Sequence, residues 1–250
     1  MPKLQQNGFI RFELGKIVDL LAYSRYWKNI QEAFEDLPED PNKPENTLRY
    51  RRYSFGYFST YLNELNWPPE VHGEICPYYQ GDNNPEHLGE TRMLPSISRE
   101  TLANPLLRLI IENDFHRTSW SYQNLSLLKV GVHLVRLMVT KEFPVAVASP
   151  NCLHQDGEPY TFAHLVNRKG ITGGANTIAD PTAAGLTSDE ISPGQKRASF
   201  TLNNGLESFA VNDALVSHAV DPIRIAPNCN VGIRDIVLID FTVVKPDLLN

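Results

Sequence analysis

A chain of 250 residues with 42% hydrophobic content can bury a substantial core, and the length suits one large β-rich domain. A net charge of −6 and a pI near 5.7 argue against a nucleic-acid partner, because such binders carry basic patches that release counterions from phosphates. The sequence has no apolar run of about 18 residues that could cross a membrane, its N-terminus MPKLQQNGFIRFELGK lacks the apolar core of a secretory signal, and Cys76, Cys152 and Cys229 stand far apart with no C-x-x-C pair. The expectation is a cytoplasmic protein with reduced thiols.

From the N-terminus, GFIRFEL (residues 8–14) alternates as a strand does. Ile17, Leu20, Leu21, Trp27, Ile30 and Phe34 then recur at near-helical spacing, predicting a helix that stops before Pro38. The stretch NTLRYRRYSFGYFST, dense in aromatics and arginines, predicts a strand. From there to about residue 96 the prolines and the segment QGDNNPEHLGE predict irregular structure, suited to a lid or substrate loop. Asn104-Pro105 reads as an N-cap followed by proline in the first helical turn, opening a helix through LLRLIIENDF.

After residue 125 the texture changes to short β-rich runs punctuated by Gly, Asn, Asp and Pro: LSLLKVGVHLVRLMV, YTFAHLVN, ANTIAD, RASFTLNN, LESFAV, ALVSHAVDPI and NVGIRDIVLIDFTVV. Asn203-Asn204-Gly205 and Asn212-Asp213 mark turns between apolar runs. Strands without helical periods between them predict a sandwich, jelly roll or barrel. The expected organisation is a single domain over residues 1–250, with 1–120 as helical or irregular support and lid and 121–250 as the jelly-roll core.

Within this β-rich half sits PNCLHQDGEPY (residues 150–160), which contains His154-Gln155-Asp156. With 7 histidines and 29 acids in the chain, chance alone supplies about one His-x-acid match, and His72-Gly73-Glu74 has the same spacing. On a strand, residues i and i+2 point the same way, so His154 and Asp156 can offer a nitrogen and an oxygen to one ion. His218, mid-strand among apolar residues, is the candidate third ligand. Two histidines and one carboxylate leave coordination positions open, the donor set of non-haem Fe(II) oxygenases. The competing readings are a hydrogen-bonded core histidine at His218 and plain turn residues at His154 and Asp156. Arg234, in a terminal strand of Ile, Val and Leu, needs an anion if its head is buried: a dicarboxylate cosubstrate, or an internal acid such as Asp235 or Asp240. Arg224 is the second choice for that role.

The ordered set His154, Asp156, His218 and Arg234 resembles the iron(II)- and 2-oxoglutarate-dependent dioxygenases. Residues 149–180, with GVHLVRLMVTKEFP before them and VSHAV and IRDIVLIDF after, resemble more narrowly the bacterial subfamily that hydroxylates free aliphatic amino acids, the L-isoleucine dioxygenase-like enzymes. The resemblance runs over roughly residues 90–244 and is weaker before them. It implies a double-stranded β-helix, that is, a cupin-like jelly roll with supporting N-terminal helices. It also implies Fe(II) on His154, Asp156 and His218, and 2-oxoglutarate anchored by Arg234, with O2 and a free amino acid as the other reactants. The sequence departs from the family in one place: Ile236 stands where many members carry a serine two residues after the anchoring arginine. For the substrate itself, Arg136, His133 and Arg92 are the candidate contacts, with Arg52 a further choice for the carboxylate. The rival readings are a cupin-like metalloenzyme that uses no 2-oxoglutarate and therefore has no need of Arg234, and a jelly-roll binding or stress-response module without chemistry.

Overall fold

Alternation with period two dominates the longest strands and decides the architecture, because each must present one face to helices and the other to a second sheet. The structure is a computed structural model and describes residues 3–19, 21–69, 74–79, 89–121, 127–148 and 150–244. The chain opens with α1 (Lys3–Asn7), β1 (Phe9–Glu13), α2 (Ser24–Glu32), β2 (Leu48–Ser59) and β3 (Glu64–Asn66). Then come β4 (Ile75–Tyr79), β5 (Thr91–Pro95), α3 (Arg99–Leu102), α4 (Pro105–Thr118), β6 (Leu127–Thr140) and β7 (Val145–Ala146). The remainder is β8 (Tyr160–Lys169), β9 (Ile171–Gly173), β10 (Asn176–Ala179), β11 (Lys196–Phe200), β12 (Glu207–Asn212), β13 (Ser217–Val220), β14 (Ile223–Ile225) and β15 (Val231–Val243).

A seven-stranded sheet in the order β1-β12-β8-β15-β6-β2-β3 forms one wall. Facing it are two three-stranded sheets, β11-β10-β13 and β7-β14-β9, and β4 and β5 pair as a further two-stranded sheet. This is the jelly roll, or double-stranded β-helix. Two expected turns take on a larger role here: Asn203-Asn204-Gly205 and Asn212-Asp213 carry the chain from the small sheet into β12 and back out to β13. The outer face of the large sheet packs on the helices, with Leu128, Val130, Val132, Leu134, Val237, Ile239 and Phe241 against Leu106, Ile110, Ile111 and Phe115. Each such buried side chain contributes roughly 1.5–3 kcal/mol. The inner face of the sheet packs in part against the small one, through Leu165, Phe209 and Ile236 with Ile178 and Phe200.

The N-terminal part differs from expectation. β1, β2 and β3 are strands of the main sheet rather than peripheral support, with β2 in register against β6 from Leu48↔Met138 to Ser59↔Leu127. The helical stripe is realised only in its second half: α2 begins at Ser24, Trp27, Ile30 and Phe34 pack on the core, and Ile17 and Leu21 are exposed. Leu20 lies outside the described residues. α4 starts as read, with the Asn104 side chain accepting from the amides of Leu106 and Leu107 at 2.8 and 3.3 Å. Of the stretch expected to be irregular, β4 and β5 are paired strands, while residues 70–73 and 80–88, including His72 and His87, lie outside the described residues.

Candidate metal centre and cosubstrate cavity

The register of the large sheet determines which side chains reach the interior. β15 pairs Arg234 with Leu137, Ile236 with Val135, Leu238 with His133 and Asp240 with Gly131 of β6, and β2 sets Arg49, Arg51, Tyr53 and Phe55 against those same β6 positions. On the other side, Leu165, Ala163 and Thr161 of β8 face Ile236, Leu238 and Asp240. Most of these residues line one cavity between the sheets. Its floor is apolar in the middle and charged at both ends, Arg234 at one and Asp240 at the other.

His154 and His218 meet over this floor as an isolated antiparallel bridge, each amide donating to the other's carbonyl at 3.0 and 2.9 Å, so their rings lie 4.4 Å apart. His154 is therefore held by a single bridge, and Asp156 is in the loop beyond it, an arrangement between the strand and the turn that the sequence left open. Asp213, from the turn before β13, closes that loop. Its carboxylate accepts from the amides of Asp156 and Gly157 at 2.9 and 2.7 Å, and its carbonyl accepts from the Gln155 side chain. Gly157, at a φ of 87°, supplies the left-handed turn that brings this about.

The Asp156 oxygens lie 3.4 Å from Nε2 of His154 and 3.3 Å from Nε2 of His218. One donor atom from each of the three residues falls within 4.8 Å of the others. The Cys152 carbonyl accepts from Nδ1 of His154 at 2.9 Å, which leaves the Nε2 lone pair for an ion. Burial pushes the Asp156 carboxyl up, but His218 and His154 outweigh it and hold the group well below the usual carboxylate range. For His154, burial works against charge, yet Asp156 and the Cys152 carbonyl raise its pKa. Two imidazoles and an ionised carboxylate converging from one side fit a divalent transition metal with open positions.

Arg234 is 7% exposed and reaches Oδ1 of Asn176 through Nη2 at 3.4 Å. Among the described residues no carboxylate forms an ion pair with it, since Asp235 points to the opposite face. Burial first, and then the neighbouring Arg168, lower its pKa to about 10. A desolvated guanidinium beside a second cation fits a carboxylate ligand.

The substrate candidates separate. His133 and Arg92 line the cavity. Arg136 does not: it lies on the helix side of β6, where it grips Asp235 at 2.7 and 2.9 Å and reaches Glu35 at 3.0 Å. Arg52 donates to the carbonyl of Ser96 at 2.8 Å, Arg224 is exposed at the surface, His116 is exposed, and His164 is buried between Asp114 and Ser208 at 2.8 and 2.9 Å. Composition gave no sign of three further cavity residues. Arg51 donates to Nδ1 of His133 at 2.7 Å, Tyr78 donates to Glu158 at 3.3 Å, and Glu158 follows the metal-ligand pair by two positions. Asp213 was visible only as a turn residue.

The 2OG-Fe dioxygenase family matches over residues 31–240, most of the chain. The chain belongs to the 2OG-Fe dioxygenases. It is 30% identical over 193 residues to L-isoleucine-4-hydroxylase of Bacillus thuringiensis, covering 74% of this chain and 73% of the relative. A second relative, 3(1)-hydroxy-L-isoleucine 4-dioxygenase of Pantoea ananatis, is 26% identical over 219 residues, covering 86% and 80%. The crystal structure of IDO from Bacillus thuringiensis superposes with a TM-score of 0.73 at 25% identity, covering 97% of this chain and 93% of that one. The chain is thus an L-isoleucine dioxygenase-like oxidoreductase dependent on Fe(II) and 2-oxoglutarate, and neither the cupin-like reading without a 2-oxoacid nor the non-catalytic module describes it. Among the described residues no helix is long and apolar enough to cross a membrane.

Proposed function

We propose that this dioxygenase hydroxylates a free aliphatic L-amino acid in the cytoplasm, with the whole chain acting as one catalytic domain. The observation that carries the reading is the cavity itself: a three-donor metal site opens onto an apolar floor of Val135, Ala163, Ile236 and Leu238, and charged groups stand at its ends. His154, Asp156 and His218 hold the iron, and Arg234 takes the distal carboxylate of 2-oxoglutarate. Bound iron supplies the oxidative step, in which 2-oxoglutarate and O2 yield succinate and CO2 and one oxygen atom enters a substrate C–H bond.

The chain's own groups orient the reactants and keep the site dry. Ile236 replaces the serine that often assists the anchoring arginine, and Arg168 fills that role. It stands directly across from Arg234 on β8, and its buried Nη1 has no hydrogen-bond partner among the described residues. The paired strands β4 and β5 bring Tyr78 and Arg92 into the cavity lining. Arg92, over the Tyr78 ring at 4.7 Å, is placed to bind the substrate carboxylate together with Arg51, at 5.5 Å from the same ring. The L-isoleucine named for the Bacillus thuringiensis relative makes a branched aliphatic amino acid the first substrate to try. Reduced thiols at Cys76, Cys152 and Cys229, none of them in a disulfide, support a cytoplasmic site of action.

The test is a screen of the common L-amino acids with Fe(II), ascorbate and 2-oxoglutarate, read by succinate release and by mass spectrometry for one added oxygen. A branched aliphatic substrate should raise succinate well above the substrate-free rate. No amino acid doing so would refute the reading.

A further inference from the structure

Two acids lie in the substrate half of the cavity and belong neither to the metal set nor to the cosubstrate anchor. Glu158 is 8% exposed and lines the cavity. Its Oε1 accepts from the Tyr78 hydroxyl at 3.3 Å, while its Oε2 is buried with no hydrogen-bond partner among the described residues. Asp240 is 7% exposed, faces the same space, and lies 3.4 Å from Nε2 of His133. Arg51 donates to Nδ1 of His133, so the imidazole proton sits on Nε2 and points at Asp240. The site is built for that carboxylate: a Cβ on Gly131 would come within 2.2 Å of Asp240 Oδ2. Beside Asp240, Oγ1 of Thr161 is also buried and unpartnered.

A buried carboxylate oxygen with no donor is costly, and a second acid nearby makes it more so. Glu158 keeps one oxygen without a partner among the described residues, and Asp240 receives the Gly131 amide and faces His133. Glu158 accepts from the Tyr78 hydroxyl, Asp240 stands at His133, whose ring meets that of Tyr78 edge-on, and Arg51 and Arg92 lie over the Tyr78 ring. Two acids and two guanidiniums therefore line the same part of the cavity. A molecule bearing an ammonium and a carboxylate on one carbon would satisfy both kinds of group, and a free α-amino acid is such a molecule.

The geometry points to Glu158, supported by Asp240, as the group that binds the substrate's α-ammonium, making the free amino group a requirement for binding. This rests on the amino-acid reading above, and it names the residue that distinguishes an amino acid from other small carboxylates. The β-branched side chain would then lie over the apolar floor toward the metal. Glu158 acts here as a binding and specificity residue, not a proton donor.

The test is calorimetric affinity of the iron- and 2-oxoglutarate-loaded protein, without oxygen, for two probes. One is L-isoleucine, and the other is 2-hydroxy-3-methylpentanoate, which keeps the carboxylate and side chain but replaces the ammonium by a hydroxyl. Wild type should prefer L-isoleucine by roughly 10- to 100-fold, the span expected for one buried hydrogen bond to a charged group. Glu158→Gln should reduce that preference to a few-fold, with iron content and 2-oxoglutarate affinity unchanged. Should Glu158→Gln fail to fold or to load iron, Asp240→Asn gives the same readout from a position farther from the ligands. A variant that keeps the full preference, or one that weakens both probes equally, overturns the assignment, as does a wild type that binds the two alike. Affinity for L-isoleucine without turnover of any amino acid would instead count against the hydroxylase reading alone.

Discussion

Arg234 and Asp235 are neighbours on β15, both almost fully buried, and they belong to opposite kinds of site. On the helix side, Asp235 receives two bonds from Arg136 and a third from Asn167 at 2.8 Å. That face also holds Asp114, His164 and Ser208 in a chain of 2.8 and 2.9 Å contacts. This last set contains the residue types of a hydrolytic triad, but Asp114 and His164 are 0% exposed and Ser208 1%, so no substrate can reach it. On the cavity side, among the described residues, Arg234 has one long bond and Glu158 Oε2 has none. Burial alone does not mark function. An unmade bond alone does not mark function either, since Oδ1 of Asp114 also lacks a partner among the described residues; what sets Arg234 and Glu158 apart is that they line the cavity.

The contrast can be broken by removing one group from each face. The largest effect is expected at the metal: Asp156→Ala should abolish iron loading and lower activity by more than about 1000-fold, since two imidazoles alone hold Fe(II) poorly. Glu74→Ala, at the decoy spacing, should leave metal content at the wild-type level, and equal iron in the two variants would show that the wrong pair was chosen. On the helix face, Arg136→Leu leaves Asp235 with a buried, uncompensated charge and should destabilise the fold by about 3–5 kcal/mol, near 10 °C in thermal denaturation, while affinity for 2-oxoglutarate in the folded fraction is unaffected. A stable Arg136→Leu protein with weakened substrate binding would reverse the two faces. Arg234→Ala should do the opposite, raising the 2-oxoglutarate requirement by roughly 30- to 100-fold with iron retained and stability unchanged or improved. An unaltered 2-oxoglutarate dependence would remove Arg234 from the cosubstrate site.

The strands of the second half could be read from the sequence because their apolar runs and Asn-Gly or Asn-Asp turns are local signals. The same holds for His218 and Arg234, polar residues inside apolar strands, where burial forces them to have a purpose. Period two also sorts the candidate substrate contacts on β6. His133 and Arg136 are an odd number apart on one strand and cannot share a face, so once His133 faces the cavity Arg136 must face the helices. What the sequence could not convey is non-local. β2 supplies Arg51 to the cavity only through its pairing with β6, the β4–β5 hairpin brings in Tyr78 and Arg92 from the stretch read as irregular, and Asp213 reaches back to residues 156 and 157 across the bridge between His154 and His218. Glu158 resembled part of a Gly-Glu-Pro turn, and only its orientation shows otherwise.

Asp240 provides the finest test, because it puts a free energy on ionising a buried acid of the cavity. Burial raises its pKa from 3.8 to about 6, with Asp156 adding to the rise and Lys129, the Gly131 amide and Arg51 opposing it. The folded protein therefore holds this proton more tightly than the unfolded chain. The group favours folding below about pH 4, that contribution is lost as pH rises through 6, and above it the ionised carboxylate costs about 2–3 kcal/mol. Asp240→Asn removes the charge and keeps the shape. It should raise the melting temperature of the metal-free protein by about 5 °C at pH 7.5 and by almost nothing at pH 4. A gain of the same size at both values, or a loss at pH 7.5, would place Asp240 among the paired groups of the outer face. Saturating L-isoleucine at pH 7.5 should stabilise the loaded wild type more than the loaded variant, because the ammonium adds a cation beside the ionised carboxylate.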